Sequence, residues 1–267
     1  MVWRRFRERG SSKVQLDFSA KVVLISGGTS GIGLATAKLF LASGATVVIN
    51  GRDVKRGQLA LQELSDWSDR AAFIAGDVTR PGDCRSLLER TCQQFGRLDV
   101  LVHSVGEYLE KSLSDTAESD FDRIMSVNMK GPYFLTQSAL PALKKSRGNV
   151  VCVASDAGLN GNVLCTAYCA SKGALTLFAK ALSLELAPYG VRVNCVCPGD
   201  IETPMLARQV ADAPDPETFL RQMAAIYPLG RIGTAQEVAS VILFLASDAA
   251  AFVTGAAWSV DGGLTAG

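Results

Sequence analysis

The chain has 267 residues, of which 48% are hydrophobic and 20% are charged, with 27 basic and 26 acidic side chains. This length and apolar content fit one large open α/β domain with a substantial core. The near-neutral charge balance argues against nucleic acid or a membrane surface as the main partner, so we expect a small molecule or a second copy of the chain.

Residues 1–18 precede the first strongly apolar segment and contain four arginines, Arg4, Arg5, Arg7 and Arg9. Because no apolar run follows these arginines, they do not resemble a secretory signal. We therefore interpret 1–18 as an N-terminal extension in front of a single catalytic domain at 19–267. No run in the sequence reaches the roughly 18 apolar residues that a membrane-spanning helix needs.

The seven cysteines are odd in number and scattered along the chain, and several lie in apolar segments. This pattern is typical of free thiols in a reducing cytoplasm. His103 is the single histidine of the sequence, and paired CxxC motifs are lacking, so we expect no metal site.

From Lys21 onward, short β-branched segments alternate with longer amphipathic segments. The predicted strands span 21–26, 45–50, 71–75, 98–103, 149–154, 191–197 and 257–260. The first six are apolar almost throughout, which is typical of strands buried on both faces of a parallel sheet. The alternation predicts an α/β, doubly wound Rossmann fold whose seven-stranded, mostly parallel sheet carries helices on both faces.

The stretch at about 200–228 is irregular, because Pro204, Pro214, Pro216 and Pro228 disfavour long regular elements. In a doubly wound fold, ligands bind at the carboxyl ends of the strands. A long loop at that edge predicts a lid over a substrate.

The first predicted strand runs into the glycine-rich turn Ser26–Gly33 (SGGTSGIG), and a helix follows. Gly27 permits a sharp turn, Gly31 lets the backbone approach a pyrophosphate, and Gly33 lets the helix pack closely on the sheet. The free amides of a helix N-terminus attract phosphate oxygens. Flexible loops are also rich in glycine, but the position between a buried strand and an amphipathic helix favours a dinucleotide site.

The second predicted strand ends in Asn50, Gly51 and Arg52. An NAD-specific site would place an acidic side chain here for the ribose hydroxyls, whereas a guanidinium can bind the 2′-phosphate of NADP in bidentate fashion. A solvated Arg52 paired with Asp53 is the bland alternative. The sequence favours NADP(H) as the cofactor, with NAD(H) as the alternative.

Gly76, Asp77 and Val78 follow the third predicted strand. The Asp77 carboxylate could accept a hydrogen bond from an adenine amino group, or it could cap the next helix. The residues alone leave both open.

Tyr168 and Lys172 lie four residues apart at the start of a long apolar helix, so both project from one face. A phenol ionises near pH 10, and a neighbouring ammonium is expected to lower that pKa. A tyrosine packed on a lysine stem is the alternative, since such pairs are common on helices.

Two further residues favour chemistry at this pair. Ser155 comes just after the strand at 149–154 and could hydrogen-bond a substrate oxygen held by Tyr168. Asn128 lies in a predicted helix, where an amide side chain has little intrinsic preference to be. It could bind a backbone group or a water and extend a proton relay through Lys172.

Together these motifs resemble the short-chain dehydrogenase/reductase family in its single-domain form, with likeness to 3-oxoacyl reductases. The resemblance covers Lys21 to Gly263 and is carried by SGGTSGIG at 26–33, GDV at 76–78, Asn128, Ser155, YCASK at 168–172, CPGDIET at 197–203 and VTGAAWSVDGG at 253–263. It implies hydride transfer between a nicotinamide and a carbonyl or alcohol, and a catalytic tetrad of Asn128, Ser155, Tyr168 and Lys172.

The resemblance also implies cofactor contacts and a homotetramer. Lys172 would hold the nicotinamide ribose, and the segment at 198–203 would pass along the carboxamide and the diphosphate. The full expected cofactor set is Gly27, Ser30, Gly31, Ile32, Gly33, Arg52, Asp77, Val78, Ser104, Gly106, Tyr168, Lys172, Pro198, Gly199, Ile201 and Thr203.

One segment departs from the family pattern. Family members usually have Asn-Asn-Ala-Gly after the fourth strand, where this chain has His103, Ser104, Val105 and Gly106. Gly106 still allows the backbone to pass a ribose, whereas Ser104 offers fewer hydrogen bonds than asparagine. We favour a structural role for His103 in which its hydrogen bonds are satisfied. Titration near neutral pH is the alternative.

Two functions of other kinds are the alternatives to a dehydrogenase. A hydrolase of the α/β class needs a GxSxG elbow and a Ser, Asp, His order, which this sequence does not contain. A catalytically silent NADP(H)-binding sensor is the second alternative.

Substrates left open are a 3-oxoacyl thioester, a cyclic ketone or diketone, and a sugar or polyol. The expected pocket residues are the loop at 200–228 together with Glu107, Tyr108, Asp156, Asn160 and Cys165.

Overall fold

The computed structural model describes residues 16–266, in which seven strands form a central sheet and two short strands form a second ladder. The strands are β1 (Val22–Ser26), β2 (Thr46–Gly51), β3 (Ala71–Ala75), β4 (Val100–His103), β5 (Asn149–Val153), β6 (Arg192–Pro198), β7 (Ile201–Glu202), β8 (Gly233–Thr234) and β9 (Ala257–Val260). The central order is β3-β2-β1-β4-β5-β6-β9, and every pairing in it is parallel. The predicted fold class is confirmed.

Nine α-helices connect and flank these strands within the described part of the chain. They are α1 (Gly31–Ala42), α2 (Val54–Glu63), α3 (Pro81–Phe95), α4 (Glu118–Met125), α5 (Gly131–Ser146), α6 (Thr166–Leu186), α7 (Pro204–Ala211), α8 (Pro216–Ala225) and α9 (Ala235–Ala246). A π-helical turn, Ser126–Lys130, joins α4 to α5. None of the helices described is both long enough and apolar enough to span a bilayer.

Alternate strand residues point into two separate apolar layers. Val23 and Ile25 of β1 pack in one layer with side chains of α1 and α9. Leu24, between them, packs in the other layer with side chains of α3, α5 and α6. All three β1 residues are fully buried. Burial on both faces explains why the strand sequences are continuously apolar rather than alternating.

The strand order reverses at β1, and this reversal positions the site. Ser26, at the end of β1, is in register with Asn50 of β2 on one side and with His103 of β4 on the other. The three neighbouring strands β2, β1 and β4 therefore end side by side at the same edge of the sheet. Connections run to opposite faces of the sheet at such a point, which opens a crevice between the loops.

The segment expected to be irregular at 200–228 contains two helices, so that expectation was wrong in part. Pro204 and Pro216 each stand in the first turn of a helix, α7 and α8, where proline fixes a helical φ and a backbone donor is not needed. The prolines thus start short helices instead of preventing them. They still keep both elements short, at 8 and 10 residues.

Most of the predicted N-terminal extension, 1–18, lies outside the described residues. Its last residues are described, and Phe18 is only 3% exposed. The Phe18 ring packs edge-on against the Phe40 ring of α1, with the centroids 4.8 Å apart. Phe18 is therefore part of the apolar core.

Gly33 fixes the position of α1 against the end of β1. A Cβ atom built on Gly33 would lie 2.2 Å from the carbonyl oxygen of Gly27, well inside van der Waals contact. Gly82, in the first turn of α3, has no neighbouring atom within 4 Å of such a Cβ. The two glycines share a helical setting and differ in the space around them.

This difference predicts opposite effects of Gly→Ala. Gly33→Ala should lower the free energy of unfolding by about 1–3 kcal/mol, because the turn must move to admit the methyl group. Gly82→Ala should leave it unchanged or raise it by up to about 1 kcal/mol, because alanine has the higher helix propensity. Urea denaturation followed by circular dichroism measures both, and a Gly33→Ala variant as stable as the parent would contradict the close contact.

Candidate active site

A cleft of about 920 Å³ opens at the carboxyl ends of the central strands, where the strand order reverses. The predicted residues that line it are Gly27, Ser30, Gly31, Ile32, Arg52, Asp77, Val78, Ser104, Gly106, Ser155, Tyr168, Lys172, Pro198, Gly199, Ile201 and Thr203. The expected substrate residues that line it are Glu107, Tyr108, Asp156, Asn160 and Cys165. Gly33 and Asn128 are buried and do not line the cleft.

The glycine-rich turn has the geometry of an anion site. Gly27 has a φ of +72°, and a Cβ there would lie 2.6 Å from the Val105 backbone nitrogen. Gly31 has a φ of +52° and opens α1. The N-cap residue of α1, Ser30, makes no side-chain capping bond, and the first turn holds no acidic residue. The amides of this turn can therefore receive an anion from the cleft.

Arg52 is exposed at the end of β2 and lines the cleft. Asp53 does not pair with it. Instead Asp53 caps α2 by accepting a hydrogen bond from the Arg56 amide, at 3.0 Å, and its carboxylate lies 4.0 Å from the Arg56 guanidinium. Among the described residues, no carboxylate lies within 4 Å of Arg52. Its guanidinium can bind an anionic group in the cleft.

Asp77 does not cap the helix that follows it. One carboxylate oxygen accepts from the Thr79 amide at 3.0 Å and from the Thr79 hydroxyl at 2.8 Å, which closes a local turn. The N-cap of α3 is Arg80, without a side-chain bond. The capping alternative is therefore wrong, and Asp77 is held at the cleft wall.

The departure at 103–106 is accommodated by the surrounding structure. His103 is fully buried, and its Nε2 lies 2.7 Å from the Thr136 hydroxyl, whereas its Nδ1 has no partner among the described residues. Burial lowers the pKa of His103 to about 3, so the ring is neutral at physiological pH. The Ser104 amide donates to the Ser26 carbonyl at 2.9 Å, which ties the end of β4 to β1. His103 is structural, although only one of its two nitrogens is satisfied.

Tyr168 and Lys172 are both buried on the same face of α6, and the Lys172 Nζ lies 5.9 Å from the centre of the Tyr168 ring. Nζ donates to the Val153 carbonyl at 3.0 Å, which fixes the ammonium between α6 and the end of β5. A Cβ on Gly106 would lie 3.4 Å from Nζ. The Gly106 backbone therefore lies close to the lysine ammonium.

The expected lowering of the Tyr168 pKa by Lys172 is wrong for this structure. Burial raises the pKa of Tyr168, although the Ser155 hydroxyl acts in the opposite direction. The same burial lowers the pKa of Lys172 to about 8. Desolvation disfavours the charged form of both groups and is the largest cause of each shift.

Ser155 lies two residues beyond β5, on the cleft wall beside Tyr168. Its hydroxyl donates to the Asp156 carboxylate at 2.8 Å and accepts from the Ala157 amide at 3.2 Å. The second Asp156 oxygen accepts from the Asn162 side chain at 3.0 Å. The Ser155 hydroxyl is therefore held by the short 3₁₀ turn that follows it.

Asn128 lies in the π-helical turn and is fully buried. Its Oδ1 accepts from the Glu107 amide at 2.9 Å, and its Nδ2 donates to the Glu107 carbonyl and to the Ser171 hydroxyl, both at 3.0 Å. The expected backbone partner is thus Glu107. Asn128 joins the loop after β4 to α6, and π turns of this kind are frequent at functional sites.

Sequence reasoning did not single out Asp200 or Tyr227 as site residues. The Tyr227 hydroxyl donates to the Asp200 carboxylate at 2.8 Å and accepts from the Asp200 amide at 2.6 Å. A Cβ on Gly199 would lie 2.7 Å from the Tyr227 ring. The two residues are 27 positions apart, so no local pattern could have connected them.

Comparisons with known proteins agree with this architecture. A family model described as enoyl-(acyl carrier protein) reductase matches residues 27–265. An uncharacterized oxidoreductase of Thermotoga maritima is 40% identical over 94% of this chain and all of its own length. L-fucose dehydrogenase of Bos taurus is 41% identical over 94% of this chain and 91% of its own length.

Solved structures are equally similar. ElxO with NADP bound has a TM-score of 0.87 and 32% identity, covering 92% of this chain and 99% of its own. A short-chain dehydrogenase/reductase of Brucella melitensis, described as a glucose/ribitol dehydrogenase, has a TM-score of 0.86 and 37% identity, covering 93% and 98%. The chain belongs to the short-chain dehydrogenase/reductase family of oxidoreductases.

Proposed function

We propose that this protein transfers a hydride between NADP(H) and a carbonyl or secondary alcohol, with Tyr168 as the proton-exchanging residue. The observation that carries the proposal is that Ser155, Tyr168 and Lys172 line the same cleft as the glycine-rich turn. A continuous cleft of this kind can hold a dinucleotide and a small substrate end to end.

The residues present fit a nicotinamide dinucleotide. Gly27 and Gly31 hold the backbone of the turn in positive-φ conformations, and the N-terminal amides of α1 suit the diphosphate. Asp77 is fixed at the wall where an adenine would lie, and its carboxylate can accept from an exocyclic amine. Lys172, with Gly106 beside it, is placed to bind a ribose hydroxyl.

When bound, the nicotinamide cofactor supplies or accepts the hydride. Tyr168 gives a proton to the carbonyl oxygen in reduction and takes it back in oxidation. Ser155 and Tyr168 together hold that oxygen. The Ser155 hydroxyl donates a hydrogen bond to an Asp156 carboxylate oxygen 2.8 Å away, and it can rotate to donate to the substrate oxygen instead. Donors placed for a developing oxyanion stabilise the transition state. Asn128 acts through Ser171 and Glu107, whose positions it fixes.

Arg52 supports NADP(H) over NAD(H). In an NAD site an acid at the position of Gly51 would bind the ribose hydroxyls, and here Arg52 follows that glycine. Asp53 is committed to the N-terminus of α2 and does not neutralise Arg52. The similar ElxO structure has NADP bound, which is consistent with this preference.

A homo-oligomer, and by family resemblance a tetramer, is part of the proposal. Leu177 and Leu184 of α6 are 67% and 78% exposed, whereas Leu175 and Leu182 of the same helix are buried. Burial within the chain therefore does not account for the full apolar surface of α6. The seven cysteines are all free thiols, which supports a reducing compartment, and we place the protein in the cytoplasm.

Tyr168→Phe should lower kcat by about 10²–10⁴-fold, because the substrate oxygen loses its general acid or base. Binding of NADPH, measured by fluorescence titration, should stay within a few-fold of the parent. Tyr133→Phe is the matched control, since Tyr133 is 44% exposed on α5, and it should retain full turnover. Retained turnover in Tyr168→Phe would contradict the assignment, and tight NADPH binding without turnover in the parent would favour a silent sensor.

Arg52→Ala should raise the KM for NADPH by about 10- to 150-fold, because a hydrogen bond to a charged group contributes roughly 1.5–3 kcal/mol. The KM for NADH should change little, since NADH has no 2′-phosphate. Arg90→Ala removes an equal charge from the exposed surface of α3 and should alter neither KM. Steady-state kinetics with both cofactors measure the effect, and equal rises for NADPH and NADH would refute the phosphate contact.

A further inference from the structure

The substrate end of the cleft carries three carboxylates, those of Glu110, Asp156 and Asp200. Asp156 is only 8% exposed and adjoins Ser155 in the chain. The catalytic scheme assigns no substrate contact to any of the three. A buried charge costs free energy unless it is paired or hydrogen-bonded, so the buried Asp156 and the half-buried Asp200 require an account of their partners, whereas Glu110 is exposed.

Asp156 is held rigidly and still has acceptor capacity. One oxygen accepts from the Ser155 hydroxyl at 2.8 Å, and the other accepts from the Asn162 side chain at 3.0 Å. An ionised carboxylate offers about four acceptor positions. About two of them are therefore available to a group in the cleft, next to the place where Ser155 and Tyr168 hold the reacting oxygen.

Asp200 lines the same cleft. Its carboxylate accepts from the Tyr227 hydroxyl at 2.8 Å, and Tyr227 packs against Gly199. Burial raises the pKa of Asp200, and the negative charges of Asp156 and Glu110 raise it further. All three carboxylates line the same cleft.

Two of the basic side chains near this volume have hydrogen-bond or ion-pair partners, whereas Arg208 has no ion pair among the described residues. Glu107 is paired with Arg123, so the two side chains together add no net charge near the substrate. Lys172 donates to Val153 and faces the proposed ribose position. Arg208 lines the cleft on α7 and is exposed. Beside Ser155 the substrate therefore meets Asp156, an acceptor that carries negative charge.

These groups discriminate among substrate classes by charge and polarity. A phosphate-bearing thioester or a carboxylate would be repelled by Asp156 and Asp200. A plain cyclic ketone would bury Asp156 against carbon without a donor. An ammonium would lie beside Lys172 and the positive oxidised nicotinamide, which repel it. A neutral compound with several hydroxyls is not repelled by these charges, and it can donate a hydrogen bond to Asp156.

We propose that the substrate is a neutral polyhydroxy compound, a secondary alcohol flanked by a further hydroxyl that donates to Asp156. This inference rests on the proposed function and names its substrate class. In oxidation the carbinol C–H bond breaks with its electron pair going to the oxidised nicotinamide. The O–H proton passes to Tyr168 in its phenolate form, so the alcohol becomes a hydroxyketone, Tyr168 becomes the neutral phenol and NADP⁺ becomes NADPH. Asp156 is a specificity-determining residue that also positions Ser155.

The first test compares ring alcohols of one size with the wild-type protein and NADP⁺, following nicotinamide absorbance. The panel holds cyclohexanol, a cyclohexanediol with neighbouring hydroxyls, the corresponding aminocyclohexanol and the corresponding hydroxycyclohexanecarboxylate. The diol should have a kcat/KM about 10- to 150-fold above that of cyclohexanol, the factor expected for one hydrogen bond to a charged acceptor. The amino alcohol and the carboxylate should both fall below the diol.

The second test asks whether Asp156 is the source of the preference. Asp156→Asn should reduce the ratio of kcat/KM for diol over cyclohexanol by about 10-fold or more, because the charged acceptor is lost. The ratio cancels any common loss through Ser155. Asp66→Asn is the matched control, since it makes the same charge change at an exposed residue far from the cleft, and it should leave the ratio unchanged.

Each failure has its own signature. Equal use of diol and cyclohexanol, or a preference for the amino alcohol or the carboxylate, would overturn the polyhydroxy inference and leave the proposed function standing. An Asp156→Asn variant with an unchanged ratio would overturn the recognition role of Asp156. No turnover of any alcohol on the panel by the wild-type protein would overturn the proposed function together with this inference.

Discussion

The alignment of strand ends at one edge of the sheet is the constraint on which the rest of the structure depends. Ser26 is level with Asn50 and His103, so the glycine turn, the Arg52 segment and the Ser104–Gly106 segment leave the sheet together. Parallel pairing requires crossover helices on both faces, and the reversal of strand order separates them. The cleft is the space that this separation leaves, and each candidate chemical group reaches it from the end of a strand or the start of a helix.

Buried polar contacts then fix the groups that the strands deliver. The Lys172 ammonium spans from α6 to the Val153 carbonyl, and Asn128 connects the loop after β4 to Ser171 of α6. Each contact joins elements that are distant in the chain. In a region of low dielectric constant such bonds are directional and costly to break, which makes them suitable for holding side chains at fixed positions. The same burial raises the pKa of Tyr168 and lowers the pKa of Lys172, which favours the neutral form of each group.

The substrate end differs from the cofactor end in the sign of its charge. The turn before α1 and the exposed Arg52 suit an anionic dinucleotide. The walls around Tyr168 carry Asp156 and Asp200, each already bonded to a neutral donor. The turn therefore suits an anionic group, whereas Asp156 suits a hydrogen-bond donor, and electrostatic complementarity of this kind favours one orientation of the bound molecules.

Apolar strand segments, helical spacing and the glycine turn were sufficient to predict the parallel sheet and the turn that opens the cleft, because these features depend on local periodicity and backbone freedom. Much of the remaining cleft wall was predicted from the resemblance to the family. The helices α7 and α8 were missed, since a proline in the first turn of a helix and a proline in a loop look alike in sequence. The role of Asp77 and the pairing of Asp200 with Tyr227 depend on neighbours that the chain brings together only after folding. The sequence by itself determined the order of elements and the kinds of chemical group present. Only the tertiary structure decided which groups are desolvated and which are partners, because burial and hydrogen bonding are properties of the space around a residue rather than of its position in the chain.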